Sequence, residues 1–159
     1  MMDWQRYDYD ASFCTQIGKT GQLIARRIQE NWKKIGCEIT VEQWSILVRL
    51  YARDGRSQQD LSACTRRDKP GITRLVDTME KNGLVVRQPS SADRRVNLIY
   101  LTARARQLQQ PLTEQVLLSL AEATGGIDEA SLTACSRVLE QVRANLSGWQ
   151  GCPESSEPA

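Results

Sequence analysis

The chain has 159 residues, 40% hydrophobic and 25% charged, which suits one soluble globular domain. It contains no histidine, and its five cysteines show no CxxC spacing, which argues against histidine-based catalysis, zinc sites and a disulfide framework and for reduced thiols in the cytoplasm. The net charge of +2 hides an asymmetry: residues 53–106 hold 12 basic against 6 acidic side chains, whereas residues 107–159 hold 2 against 7. A patch for a polyanion therefore belongs to the middle third.

In chain order, residues 1–10 are an acidic, polar extension unlike a signal peptide, and no apolar run approaches the ~20 residues that span a bilayer. Phe13, Ile17, Gly21, Ile24, Ile28, Trp32 and Ile35 recur at steps of three and four, which predicts a long amphipathic helix over about 11–35, stopped near Gly36. Thr40 and Gln43 form a capping box for a second helix with Trp44, Leu47, Val48 and Tyr51 on its apolar stripe, ended by Asp54-Gly55. Ser57 and Asp60 form another capping box, opening a short helix. After a polar break at Arg66 to Asp68, a fourth helix starts near Lys69-Pro70, buries Ile72, Leu75, Val76 and Met79, and closes at Asn82-Gly83.

The period then changes. LVVRQP and RVNLIYL are short, β-branched and alternating, and PSSAD joins them, which predicts a two-stranded hairpin with a charged tip. Thr102 caps a return to helix through Leu108, Leu112, Val116 and Leu120 with Pro111 inside it, and Asp128 caps a last helix carrying Leu132, Cys135, Leu139, Val142 and Leu146. Residues 148–159 read as a disordered, polar tail. The fold class is mainly α with a small β-hairpin wing: a helix-turn-helix extended into a winged helix. A helix of that kind fits the major groove of duplex DNA, and an arginine at a hairpin tip fits the minor groove, where the negative potential is strongest.

The segment DKPGITRLVDTMEKNGLVVRQPSSADRRVNLIYLT resembles the recognition helix and wing of the multiple-antibiotic-resistance regulator (MarR) family, in its ITRLVD and MEKNGLVVR runs, its DRR triplet and its LT pair before a long helix. The order of helices matches over about residues 10–147, with Ala105 standing where the family often has glycine. The resemblance implies a DNA-binding lobe at about 40–101, dimerisation helices at about 11–35 and 103–147, and no enzymatic activity, metal or cofactor. It also implies a homodimer on a roughly palindromic double-stranded operator, acting as a repressor released by a small aromatic or phenolic ligand.

Carried over by position, Lys69, Pro70, Gly71, Thr73 and Arg74 lie on the exposed start of the recognition helix, with Arg74 suited to guanine O6 and N7 and Gly71 allowing close backbone approach. Ser57 and Gln58 are placed to bond phosphate. In the wing, Asp93 orients Arg95 toward the minor groove, Arg94 meets a phosphate, and Arg66, Arg67 and Arg87 add sequence-independent attraction. Trp32, Trp44 and Arg49 are the residues proposed to line a ligand cleft between the lobe and the dimerisation helices. Two alternatives stay open: a MarR-like sensor of peroxide or electrophiles through a thiol, with Cys14 near a helix N-terminus as first candidate, and a winged helix used for protein contacts. The other reading of Cys14, Cys37, Cys64 and Cys135 is as small buried apolar residues.

Overall fold

A computed structural model describes residues 8–65 and 67–147; the expected disordered tail at 148–159, most of the N-terminal extension, and Arg66 lie outside the described residues. Helix α1 spans Phe13–Lys34 and α2 spans Val41–Ala52. They are followed by β1 (Arg56–Ser57), α3 (Gln58–Thr65), α4 (Lys69–Lys81), β2 (Val85–Pro89), β3 (Asn97–Leu101), α5 (Ala103–Thr124) and α6 (Glu129–Ser147). No helix among the described residues is long and apolar enough to cross a membrane.

Local signals set the helix starts. At α2 the Thr40 hydroxyl accepts from the Gln43 amide at 3.2 Å while the Gln43 side chain accepts from the Thr40 amide at 3.1 Å, closing a full capping box. The same reciprocal pairing joins Ser57 and Asp60 ahead of α3. Asp68, Thr102 and Asp128 each accept a bond from the amide three residues on, so α4, α5 and α6 begin with one otherwise orphaned donor satisfied.

The sheet has three strands in the order β1-β3-β2, all antiparallel. The predicted hairpin is present as β2 and β3, with Val85 opposite Leu101 and Pro89 opposite Asn97. The third strand corrects the two-stranded expectation: Arg56 and Ser57 pair with Ile99 and Leu98, so the base of the wing is stitched to the helix-turn-helix. Gly55 makes the preceding turn with φ +69°, and a Cβ there would lie 2.7 Å from the Tyr100 ring. Asp54 fastens the same corner, accepting from the Leu101 amide at 2.9 Å and pairing with Arg106 at 2.5 Å.

One core joins the lobe to the long helices. Trp32, Ile46, Leu47, Leu61, Ile72, Val76, Met79, Val85, Ile99 and Leu112 are fully inaccessible. Trp32 donates its Nε1–H to the Leu112 carbonyl at 3.1 Å and packs 5.6 Å from Trp44, which in turn meets Tyr51. Between α1 and α5 sits a buried polar pair. Asn31 donates to Ser119 Oγ at 2.8 Å, Ser119 donates to the Gln115 carbonyl, and Lys34 donates to Asn31 Oδ1. All of these groups have partners, as burial requires.

Apolar residues at both ends of the chain are left uncovered. Phe13, Ile17 and Leu23 of α1, Leu117, Leu118 and Leu120 of α5, and Val138 and Leu146 of α6 are exposed. α6 packs closely against no other element among the described residues.

Candidate nucleic-acid interface

α4 brings Lys69, Pro70, Thr73 and Arg74 to solvent on its first turns, while Ile72, Val76 and Met79 turn inward. Asp68 caps the helix and Pro70 sits in its first turn, where the missing N–H costs nothing. A Cβ at Gly71 would meet Asp68 Oδ1 at 2.6 Å, which a small shift of the Asp68 side chain would relieve. Thr73 donates to the Lys69 carbonyl and accepts from Gln58 Nε2, both at 3.0 Å, so Gln58 ties the start of α3 to the exposed face of α4. Ser57 spends its hydroxyl on the Asp60 amide as a cap. Lys69, Arg74 and Arg94 make no ion pair among the described residues, which leaves their charges available.

At the hairpin tip, Asp93 accepts from the Arg95 backbone amide at 3.0 Å, from Nε at 3.1 Å and from Nη2 at 3.2 Å. These bonds hold the Asp93 carboxyl below its usual range, the guanidinium first and the amide second. The Arg95 side chain is 90% exposed all the same. A solvent-screened surface pair of that kind adds little to stability, so its use is to aim a cation outward rather than to stabilise the lobe. The loop below it is closed by the Ser90 amide donating to the Val96 carbonyl at 2.8 Å and the Val96 amide donating to the Asp93 carbonyl at 2.9 Å.

Two basic residues expected to face a polyanion are spent within the protein. Arg87 bonds Glu80 at 2.5 Å and Asp77 at 2.6 Å, and Arg67 lies 3.5 Å from Glu42. A third, Arg56, is buried and donates from Nε to the carbonyls of Arg49 and Arg53, satisfying the end of α2. Burial, then the neighbouring Arg53, depress its pKa. No composition signal distinguishes such an arginine from a solvated one; only its position right after a helix end hints at it.

The proposed ligand cleft is not lined as expected. Trp32 has no exposed surface and is a core residue with its N–H satisfied, and Trp44 is wedged between Trp32 and Tyr51. Arg49 is half-buried, with an Nε that finds no partner. The open space lies one layer away, on both sides of the loop from α1 to α2. One cavity of about 350 Å³ is bounded by Cys37, Ile39, Leu84, Leu108 and Arg104, and another of about 380 Å³ by Arg26, Lys33, Glu38 and Thr40. A third, of about 540 Å³, lies between α1 and α5.

The cysteines divide. Cys14 and Cys135 are exposed and Cys37 is half-buried, all three free, so the buried-apolar reading fails for the first two. Cys64 is half-buried. Among the described residues no cluster could hold a metal ion.

Residues 38–96, from the loop before α2 to the end of the wing tip, match the model of the MarR family. The HTH-type transcriptional regulator YwoH of Bacillus subtilis is 28% identical over 102 residues, covering 64% of this chain and 72% of YwoH. Solved structures of regulators share the fold, three of them as follows. BpsR of Bordetella bronchiseptica, whose DNA binding is regulated by 6-hydroxynicotinic acid, superposes with a TM-score of 0.78 at 19% identity over 86% of this chain and 96% of its own. CouR of Rhodococcus jostii, bound to p-coumaroyl-CoA, superposes with a TM-score of 0.72 at 22% identity over 87% and 96%. A repressor CouR bound to a 23-mer DNA duplex gives 0.78 at 19% identity over 89% and 99%.

Proposed function

We propose that this chain is a winged-helix transcription regulator of the MarR family, whose model matches residues 38–96, and that it acts as a homodimeric repressor on a palindromic operator and is released by a small aromatic acid. The observation that carries the dimer is α6. Its nineteen residues pack closely against no other element among the described residues, and Val138 and Leu146 are exposed, as are Phe13, Ile17 and Leu23 of α1 and Leu117, Leu118 and Leu120 of α5. A second copy that supplies the same helices would bury this surface about a twofold axis. Two lobes so joined would meet half-sites about one helical turn apart. In each lobe Arg74 reads a base from the major groove, and Arg95, held by Asp93, enters the minor groove.

The effector site is the cavity at the junction of lobe and long helices. Ile39, Leu84 and Leu108 supply apolar walls, Glu38 lies at the same cavity, and Arg104, which spends one Nη1 bond on the Asn82 carbonyl, supplies the cation that would have to outweigh Glu38 to hold a carboxylate. The aromatic ligands named for BpsR and CouR favour that chemistry. A ligand wedged there would move α5 relative to the lobe and change the spacing of the two recognition helices.

Fluorescence anisotropy tests the reading, with duplex from upstream of the gene and the wild type and Arg95→Ala compared across a salt series. A dimer neutralising roughly eight phosphates gives a slope of log affinity against log salt near −7. Competitor-resistant binding that Arg95→Ala weakens, and that salicylate or 6-hydroxynicotinate reverses in the wild type but not in Arg104→Ala, supports the whole proposal. Binding that unrelated DNA matches at every salt concentration refutes it.

A further inference from the structure

Arg87 sits on β2, yet α4 holds it. Glu80 grips it twice, accepting from its backbone amide at 3.1 Å and from Nη1 at 2.5 Å, and Asp77, one turn earlier on the same helix, accepts from Nη2 at 2.6 Å. The Arg87 side chain is 20% exposed, against 90% for Arg95 only eight positions on. Two carboxylates around one guanidinium leave a net negative charge on the element that approaches a polyanion, an arrangement that by itself opposes DNA binding.

The geometry points to a use that outweighs this cost: we propose that Asp77, Glu80 and Arg87 are positioning residues that set the wing tip relative to the recognition helix. The inference rests on the DNA-binding reading above. Beyond the buried residue Val85, β2 turns outward, and its last residues, Gln88 and Pro89, are exposed. The ladder is anchored through β3, whose buried Ile99 lies opposite Arg87 and pairs with Arg56 of β1, but those contacts do not tie it to the exposed side of α4. The ion triplet supplies that tie in the middle of the strand. From there the constraint passes through the β2–β3 ladder and the Ser90–Val96 bond to the loop that carries Asp93 and Arg95. Arg74 on α4 and Arg95 on the wing are thereby held at a fixed spacing across one duplex.

The test turns on sign. Asp77→Asn and Glu80→Gln each remove a negative charge near DNA, so electrostatics alone predicts tighter operator binding. A positioning role predicts binding weaker by about five- to tenfold for either variant, and predicts that this loss vanishes when Arg95 is already alanine. Anisotropy on Asp77→Asn, Glu80→Gln, Arg95→Ala and the two double variants reads both. Amide exchange at Val96 in the free protein gives a readout that needs no DNA, and it should rise in Asp77→Asn. Tighter or unchanged binding, unchanged exchange, or a loss that persists undiminished in the Arg95→Ala background overturns the proposal. A wild-type chain with no operator preference overturns the DNA reading instead, before any variant is compared.

Discussion

Replacing Tyr51 by phenylalanine probes the seam between α2 and α5. The phenol donates to the Ala105 carbonyl at 2.7 Å, and burial, reinforced by the nearby Cys37 thiol, pushes its pKa up to about 12. An unfolded tyrosine titrates near 10. Between those values the folded protein keeps a proton that the unfolded chain has released, so the associated stability is complete below pH ~10 and falls as pH rises toward ~12. Tyr51 is only half-buried, so solvent screening keeps the loss at pH 11 well short of what a two-unit shift would give in full. The hydrogen bond itself contributes about 1 kcal/mol at neutral pH. Tyr51→Phe should therefore be less stable than the wild type by about 1 kcal/mol at pH 8, and the gap should narrow as pH rises from 10 to 11. Urea unfolding followed by circular dichroism at 222 nm checks this without interference from tyrosinate quenching of Trp44. Lysine and arginine titration affects both proteins alike and cancels in the difference. Stability curves for the two proteins that run parallel from pH 8 to 11 would refute the assignment.

Three further outcomes follow from the geometry. Thr40→Ala removes one half of the capping box at α2 and should lower stability by about 1 kcal/mol in the same unfolding assay. Val138→Arg places a charge on the uncovered face of α6, and sedimentation equilibrium should show monomer at concentrations where the wild type is dimeric, with helix content lowered only slightly. Arg74→Ala should cost about 1–3 kcal/mol of operator affinity and relax preference at one base pair of each half-site, whereas Gln58→Ala, which only frees Thr73, should weaken binding less and leave that preference intact.

Features whose cause lies within three or four residues were legible before any coordinates. Thr40 and Gln43, Ser57 and Asp60, Thr102 and Asp128 all cap the helices they were expected to cap, because a cap needs only its own next turn, and Asp68, read only as part of a polar break, caps α4 in the same way. The change of period after Gly83 likewise marks the wing. What escaped depends on partners far along the chain. β1 is two residues long and exists only because β3 lies beside it. Arg56 and Arg87 belong to the same basic third as Arg74 and Arg95, and nothing in a charge count separates a cation that closes a helix end or bridges two carboxylates from one that faces solvent. Trp32 satisfies a helical stripe equally well as cleft wall or as core, and only the approach of Leu112 from α5 decides for the core. The apolar stripe of α1 was legible as a period, but not where along it burial begins: Ile28 and Trp32 are covered, whereas Phe13 and Ile17 are open.

The Asn31–Ser119 pair has a consequence for uniqueness rather than for strength. Two long apolar helices such as α1 and α5 can slide by a turn and still bury comparable area, so packing alone leaves several alignments close in energy. A slid alignment would keep the bonds each residue makes within its own helix but strand the Asn31 Nδ2–H away from water, at about 1–3 kcal/mol. The pair thus acts as a key that admits one alignment and rejects its neighbours. A chain with leucine at 31 and alanine at 119 could equal the natural one in stability and yet hold its lobe at several angles, a fault that a melting temperature would never reveal.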